Sequence, residues 1–186
     1  MRETLVNWLP HVMERLPDLW EALADTLLMV LWSGAVSFLL GMLLGVLLTV
    51  TKPGAILENH PLYQIVDKVV SLFRSIPFII LLTWVMPLSR TLMGTTLYVR
   101  GAIVPLVFGS VPFFSRQVES ALAELDRGLV EAALSMGSSP WEIIFRVYLR
   151  ESVAAIARGT TITLVSLLNL TAMAGVVGAG GLGDFA

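Results

Sequence analysis

The 186-residue sequence contains no cysteine and only two histidines. Without cysteine, the chain can form no disulfide, no thiolate metal site and no thiol nucleophile. His11 lies in a short amphipathic stretch and His60 lies beside a proline in a polar connection. In such settings a solvated histidine is more common than a metal ligand. The sequence therefore predicts no metal site, and we expect no bound cofactor.

Charge is also scarce. Charged residues make up only 14% of the chain, against about 25% in an ordinary soluble domain. Hydrophobic residues make up 56%, and the mean hydropathy is +0.82. The net charge of −2 and the pI near 5.6 leave no basic surface for a nucleic acid, so that class of partner is excluded. This composition is that of an all-α integral membrane protein.

Two stretches, residues 26–50 and 159–183, contain no charged residue over 25 positions each. About 20 apolar residues suffice for a helix to cross the hydrocarbon core of a bilayer. Two weaker apolar segments lie between them, and each contains two prolines and one arginine. We predict a single transmembrane domain over 1–186, with four membrane-spanning helices and one polar insert. The spans are at about 26–50, 69–89, 95–114 and 159–178, and the insert is at 115–158.

The basic residues indicate the orientation of these spans. With the N-terminus outside, eight lysines and arginines face the cytoplasm and four face the exterior, as the positive-inside rule prefers. Arg74 and Arg100 then lie near opposite membrane interfaces. They either extend to the interface from ordinary spans, or mark interrupted helices that line a polar pathway. We predict a multi-pass protein with an extracytoplasmic N-terminus.

The first predicted span carries small residues at intervals of four, namely Ser33, Ser37, Gly41 and Gly45. This spacing places them on one helical face, where they allow another helix to approach closely. We therefore interpret this face as a helix-packing surface.

The polar insert carries unusually clear helix signals. Asp126 is a candidate N-cap, and Gly137 occupies the position after the helix C-cap. Ser139 and Glu142 then form the pattern of a capping box around Pro140, so a second helix should begin there. On that helix one aromatic and apolar face is expected. Its members are Trp141, Ile144, Phe145 and Tyr148.

A short, stiff helix with an aromatic face outside the membrane suits docking to a partner protein. The alternative is an amphipathic helix that lies on the bilayer surface. Both interpretations remain open from the residues alone.

The segment VVGAGGLGDFA at 176–186 contains the spacing G-x-G-x-x-G of dinucleotide-binding loops. That fingerprint needs a following helix and a later acidic residue, and only three residues follow Gly183. No G-x-x-x-x-G-K-[ST] motif occurs, and no histidine or carboxylate lies within a predicted span to activate Ser166 as a nucleophile. The sequence thus argues against a nucleotide site and against a membrane enzyme.

Within the insert, the stretch EAALSMG at 131–137 resembles the EAA loop of permease subunits in bacterial ATP-binding-cassette (ABC) importers. Two further stretches, FRSIPFIILL and TAMAGVVGAGGLG, are similar to the methionine branch of that family, and the similarity runs from about Trp20 to Gly183. The resemblance implies a multi-span helical permease fold with cytoplasmic EAA coupling helices. The implied ATPase-coupling residues are Glu131, Ala132, Ala133, Gly137, Ser139, Trp141 and Phe145.

The resemblance also implies the partners and the location. They are a second copy of the permease, a cytoplasmic ABC ATPase, an extracytoplasmic methionine-binding protein and the lipid of the bacterial inner membrane. The chain would carry methionine by alternating access and would not itself be an enzyme. A permease for another, polar amino acid and a passive channel or scaffold are the alternatives. We predict that Ser166, Asn169 and Met173 share the pathway side of the last span, since their spacing places them on one helical face.

Two features depart from the family pattern. Leu149 is followed by Arg150 where the family usually has proline, so a less kinked connection into the last span is expected. Permeases of this branch also usually have one further span, and the sequence given stops at Ala186.

Overall fold

The computed structural model describes residues 15–186, and all secondary structure in that range is helical. The predicted all-α fold is therefore confirmed. A π-helical segment, Ile143–Tyr148, interrupts the α-helices. A second segment with wide turns, Gly175–Ala179, follows the last long helix and leaves helical geometry at Val177 and Gly178. The α-helices in chain order are α1 (Leu16–Thr51), α2 (His60–Ser75), α3 (Phe78–Met93), α4 (Tyr98–Ala123), α5 (Arg127–Ser135), α6 (Pro140–Glu142), α7 (Leu149–Glu151), α8 (Val153–Ala174) and α9 (Leu182–Phe185).

Among the described residues, three helices are long and apolar enough to cross a membrane: α1, α4, and α8 with its π-helical extension. A fourth span results if α2 and α3 are counted together. These two helices differ from the continuous span predicted over 69–89, because they meet at an angle of 111°. The break falls at Ile76, whose ψ of 124° is extended, since the ring of Pro77 disfavours helical backbone in the residue before it.

The helix α4 extends further than the sequence predicted. Residues 115–123 were assigned to the polar insert, yet α4 continues to Ala123. Val118 and Leu122 explain the difference, because both are buried against neighbouring helices despite the polar residues between them. The connection that emerges from the helical core is therefore shorter, at 124–152, and this insert is attached directly to a core helix.

The core is built around the close contact of α1 with α4. The predicted small-residue face of α1 is confirmed as the packing surface, since Ser33, Ser37, Gly41 and Gly45 are all buried. A Cβ atom added to Gly41 would lie 2.7 Å from the ring of Phe114. Ser37 and Ser110 join the two helices by a hydrogen bond of 2.5 Å between their hydroxyls.

The two ends of the helical bundle collect different segments. The α1–α2 connection at 52–56 lines a cleft with α5, so the insert lies at the C-terminal end of α1. At the other end, Asp25 of α1 and Tyr98 of α4 line a second cleft with Gly180 and Asp184. The insert and the start of α1 are therefore at opposite ends, as the predicted topology requires. Which end faces the cytoplasm stays a prediction.

The glycine-rich stretch forms a tight reversal after α8. Gly178, Gly180 and Gly181 have φ of +89°, +77° and +79°, a region that glycine enters at little cost. The chain then folds back, and the Leu182 N–H donates to the Thr26 hydroxyl of α1 at 2.9 Å. A Cβ atom on Gly183 would collide with the carbonyl oxygen of Ala172. The glycines thus serve turning and close packing, as the sequence analysis favoured.

The contact between α1 and α4 predicts opposite effects for two glycine substitutions in the same helix. A Cβ atom on Gly45 would lie 2.7 Å from the Ser115 carbonyl oxygen, whereas one on Gly34 would make ordinary contact at 3.5 Å from Leu167. Gly45→Ala should cost about 1 to 3 kcal/mol by overpacking and lower the melting temperature by several degrees. Gly34→Ala should leave it unchanged or slightly raised, because alanine favours helix. Thermal unfolding followed by tryptophan fluorescence in detergent tests this, and equal melting temperatures would contradict it.

Candidate functional site in the helical insert

The insert begins with a short helix whose two ends are fixed by local hydrogen bonds. At its start, the Gly128 N–H donates to the Asp126 carboxylate at 2.9 Å, which confirms the predicted N-cap. At its end, Gly137 has φ of +81°. The Gly137 N–H donates to the Leu134 carbonyl at 3.0 Å and the Ser138 N–H donates to the Ala133 carbonyl at 3.1 Å. These two bonds form a Schellman motif, as the position of this glycine predicted.

The predicted capping box after the turn is also present. The Glu142 N–H donates to the Ser139 hydroxyl at 3.4 Å, and the Ser139 N–H donates to the Glu142 carboxylate at 2.9 Å. The Ser139 hydroxyl also donates to the Glu142 carboxylate at 3.0 Å. The bonds that this carboxylate accepts, first from the Ser139 N–H and then from the Ser139 hydroxyl, lower the pKa of Glu142 below its ordinary value. The capping contribution is therefore complete above the ordinary carboxyl pKa and is lost only as the pH falls through the lowered value.

The prediction of one aromatic and apolar face on the second helix was wrong. Trp141 and Phe145 are 67% and 62% exposed, whereas Ile144 and Tyr148 are buried. The cause is the π-helical segment Ile143–Tyr148. Its hydrogen bonds close wider turns than those of an α-helix, so residues that would share one α-helical face are rotated apart. The two exposed aromatic side chains point away from the protein, and the two buried ones anchor the segment.

Five large apolar side chains are exposed on the hairpin formed by the two insert helices. One of them, Leu129, lies in the first turn of α5. We call the other four the docking patch, and they are Leu134, Met136, Trp141 and Phe145. Exposed apolar side chains that lie together commonly mark an interaction site. The hairpin is rooted in the bundle, because Ala133, Ile143 and Tyr148 belong to the same buried cluster as Val118 and Leu122 of α4. The patch is therefore presented by a segment whose base is part of the core.

The implied coupling residues all lie on this hairpin, but they are not equivalent. Ala133 is buried and contributes packing, whereas Glu131 and Ala132 are exposed. Glu131 lines a cleft of about 390 Å³ together with Lys52 and Arg127. Ser139 and Gly137 shape the turn, so only Trp141 and Phe145 of the implied set belong to the docking patch.

The three predicted pathway residues lie on one side of α8, in its C-terminal half. Asn169 and Met173 are exposed, and Ser166 is half-buried. An exposed amide within a charge-free segment is costly against lipid. This side of α8 is therefore suited to water, to substrate or to another helix.

His60, the histidine within the described residues, does not lie on the hairpin. His60 lies on the exposed side of α2, where its Nε2 atom is 2.8 Å from the Gln64 side-chain nitrogen, and His11 lies outside the described residues. Within residues 15–186, no group of three or more histidine, aspartate or glutamate side chains is placed to hold a metal ion.

A family model described as "binding-protein-dependent transport system inner membrane component" matches residues 37–186. The chain belongs to this family of transport components. The predicted permease fold, inner-membrane location and role as a non-catalytic transport subunit are confirmed.

Named relatives of this transport component are 42 to 49% identical to it over the aligned residues. The probable D-methionine transport system permease protein MetI of Vibrio cholerae is 49% identical over 87% of this chain and 72% of its own length. The methionine import system permease protein MetP of Bacillus subtilis is 43% identical over 92% of this chain and 77% of its own length.

Two solved structures resemble the transport component. An inward-facing structure of the MetNI methionine ABC transporter matches with a TM-score of 0.90 and 45% identity, covering 92% of this chain and 79% of that chain. An amino acid ABC transporter solved with histidines matches with a TM-score of 0.76 but only 16% identity, covering 94% of this chain and 78% of that chain. The second likeness concerns the fold alone.

Sequence reasoning missed two members of the docking patch in this transport component, Leu134 and Met136. Both are exposed beside the glycine turn, and Met136 is the C-cap residue of α5. The available signal was two large apolar residues within three positions of the glycine that ends a short helix. Their place in the EAA motif did not indicate that they would be exposed.

The hairpin turn predicts a difference between two substitutions at Gly137. Nothing lies within 4 Å of a Cβ atom at this position, so the positive φ, and not crowding, limits the residue. Gly137→Val should strain the turn by about 1 to 3 kcal/mol, whereas asparagine tolerates this conformation. Hydrogen exchange of residues 134–139, measured by mass spectrometry, should rise in the valine variant and stay near wild type in Gly137→Asn. If valine leaves exchange unchanged, Gly137 is not needed for the turn.

Proposed function

We propose that this chain is the permease subunit of a bacterial methionine importer. Two copies form the translocation pathway in the inner membrane, and each copy binds a separate cytoplasmic ABC ATPase through the docking patch. The observation that carries this proposal is the rigid, capped hairpin that presents Trp141 and Phe145 to the exterior of the bundle. Its turn is part of the EAALSMG motif, and relatives carrying methionine in their names cover most of the chain.

Energy must come from another chain. No P-loop motif occurs in the 186 residues, so ATP hydrolysis by that mechanism belongs to a partner. Work done at the partner can reach the pathway only through contact. The hairpin is suited to that task because Ile143 and Tyr148 at its base pack with Val118 and Leu122 of α4. A movement of the docked hairpin would therefore move a core helix.

The pathway forms between two subunits related by a two-fold axis, which is the commonest symmetry of homo-oligomers. The exposed side of α8 with Ser166, Asn169 and Met173 faces the pathway in this arrangement. Alternating access then consists of rocking of the two copies about their shared interface. An extracytoplasmic methionine-binding protein delivers the substrate at the end opposite the insert, where the reversal at 178–183 packs on α1.

Methionine is favoured over a polar amino acid by the named relatives. Permease proteins of 42 to 49% identity carry methionine in their names, whereas the amino acid transporter with histidines is only 16% identical. Reconstitution with the ATPase and the binding protein tests the substrate. We expect ATP-dependent uptake of labelled methionine that excess unlabelled methionine abolishes and excess histidine does not. Uptake without ATP would support the passive channel, and competition by histidine would support a polar amino acid permease.

The docking patch predicts that loss of one aromatic side chain weakens binding of the ATPase. Trp141→Ala removes a large anchor, which is commonly worth about 2 kcal/mol or more when it fills a partner pocket. Trp20→Ala is a matched control, because Trp20 is 66% exposed at the opposite end of the bundle. Both variants should insert normally, but only Trp141→Ala should lose the co-purifying ATPase and substrate-stimulated hydrolysis. Retention of wild-type coupling by Trp141→Ala and Phe145→Ala together would favour a helix that lies on the membrane surface.

The pathway assignment predicts which side of α8 is reached by water. The chain is free of cysteine, so single cysteines at Asn169 and Met173 can be labelled by a water-soluble thiol reagent. Leu168→Cys is the control, since Leu168 is about as exposed as Met173 but lies roughly 140° around the helix. In the assembled transporter, positions 169 and 173 should react in at least one nucleotide state and position 168 should not. Labelling of position 168 alone would place the pathway elsewhere.

A further inference from the structure

One arginine joins two helices at the end of the bundle that carries the insert. Arg116 of α4 donates from Nη1 to the Glu119 carboxylate at 2.6 Å. From Nη2 it donates to the Asp67 carboxylate of α2 at 2.5 Å and to the Ser71 hydroxyl at 2.8 Å. The Arg116 side chain is only 19% exposed. We call Arg116, Asp67, Ser71 and Glu119 the α2–α4 clamp.

The first part of α2 is held to the bundle at two places. Its N-cap residue Asn59 donates its N–H to the Thr51 carbonyl of α1 at 3.0 Å, and the clamp joins it to α4. Val70 is the only buried residue of this helix. Near the C-terminal end of α2, Phe73 packs against Phe108 with ring centroids 5.6 Å apart. Residues 60–69, in contrast, contain no buried side chain. The bond from Asn59 ties the start of this part of α2 to α1, so its polar link to α4 is supplied by Arg116.

The balance of charge makes arginine specifically necessary. Two carboxylates, Asp67 and Glu119, face one guanidinium, so removal of the guanidinium would leave like charges close together. The planar fork of arginine can contact both carboxylates and a hydroxyl at once, whereas the single ammonium of lysine cannot match that geometry.

The clamp also lies on the route from the docking patch to the broken span. α4 ends at Ala123 and α5 begins at Arg127, so only residues 124–126 separate the clamped helix from the insert. At its other end, α2 continues through the bend at Ile76 into α3. A displacement of α4 by the docked insert would reach α2 through Arg116.

We propose that Arg116 is a positioning residue that makes α2 move with α4, so that ATP hydrolysis is coupled to opening of the pathway. This inference rests on the proposed function for its transport readout. Loss of the clamp should let α2 move independently of α4. Hydrolysis would then continue with less substrate carried.

The test compares Arg116→Gln with Arg158→Gln in the complete transporter in proteoliposomes. Arg158 is a matched control, because it pairs with Glu124 at 3.0 Å on the same side of the bundle, but both side chains are about two-thirds exposed. Exposed pairs of this kind contribute little. Two quantities are measured: methionine imported per ATP hydrolysed, and the distance between spin labels on Gln64→Cys and Ser120→Cys, which are exposed positions on α2 and α4.

In the wild type, the distribution of distances between the two spin labels should be narrow, and its mean should be the same in all nucleotide states. Arg116→Gln should broaden it and lower the methionine imported per ATP by about tenfold, a coupling effect at the upper end of those seen for single residues. In Asp67→Asn, Arg116 keeps its contact with Glu119. This variant should lower the methionine imported per ATP by about threefold. Arg158→Gln should change neither quantity.

Several outcomes would overturn the inference. If Arg116→Gln keeps a narrow distance, the clamp does not position α2. If the distance broadens while the import ratio stays at the wild-type value, the clamp is structural only. If Arg116→Gln fails to assemble, the same two measurements are made on Arg116→Lys. That variant should broaden the spin-label distances and lower the methionine imported per ATP by less than Arg116→Gln would. If the wild type imports no methionine, the proposed function fails, and the spin-label distances still decide whether Arg116 holds α2.

Discussion

The close contact between α1 and α4 is the constraint on which the rest of the structure depends. Gly45 allows α1 to approach until a Cβ atom there would lie 2.6 Å from Val118, and the hydroxyls of Ser37 and Ser110 bond across the same surface. Interhelical packing of small residues is a main source of association where lipid removes the hydrophobic driving force. With α4 fixed along α1, α3 and α8 pack against the remaining sides of α4, and the insert extends from its end.

That arrangement gives the insert two properties that would otherwise conflict. Its tip is exposed and apolar at Trp141 and Phe145, yet its base is buried beside Val118 and Leu122. The π-helical segment reconciles them, because the wider turns direct Ile144 and Tyr148 inward while the aromatic tip stays outside. A hairpin whose base is part of the core can transmit force from a bound partner, which a flexible loop could not do.

Features that depend on residues close together in the sequence were predicted correctly, whereas features that depend on distant residues were not. The caps at Asp126 and Ser139 and the turn at Gly137 depend on residues within five positions, and the sequence predicted all three. The packing face of α1 repeats every four residues, so it was also readable. The continuation of α4 to Ala123 and the inward rotation of Tyr148 depend on burial against distant residues, which composition does not reveal. The hydrogen bond from Arg116 to Asp67 joins residues 49 positions apart, so no local sequence pattern predicts it.

The central claim is that the tip of the insert touches the ATPase and so couples its hydrolysis to import. A photoreactive benzoylphenylalanine at position 141, in membranes that contain the assembled transporter, reports directly on what lies against Trp141. The account predicts a crosslink to the ATPase whose yield changes between nucleotide-free and ATP-bound states. Crosslinking to lipid alone, with the ATPase present and bound, would contradict it.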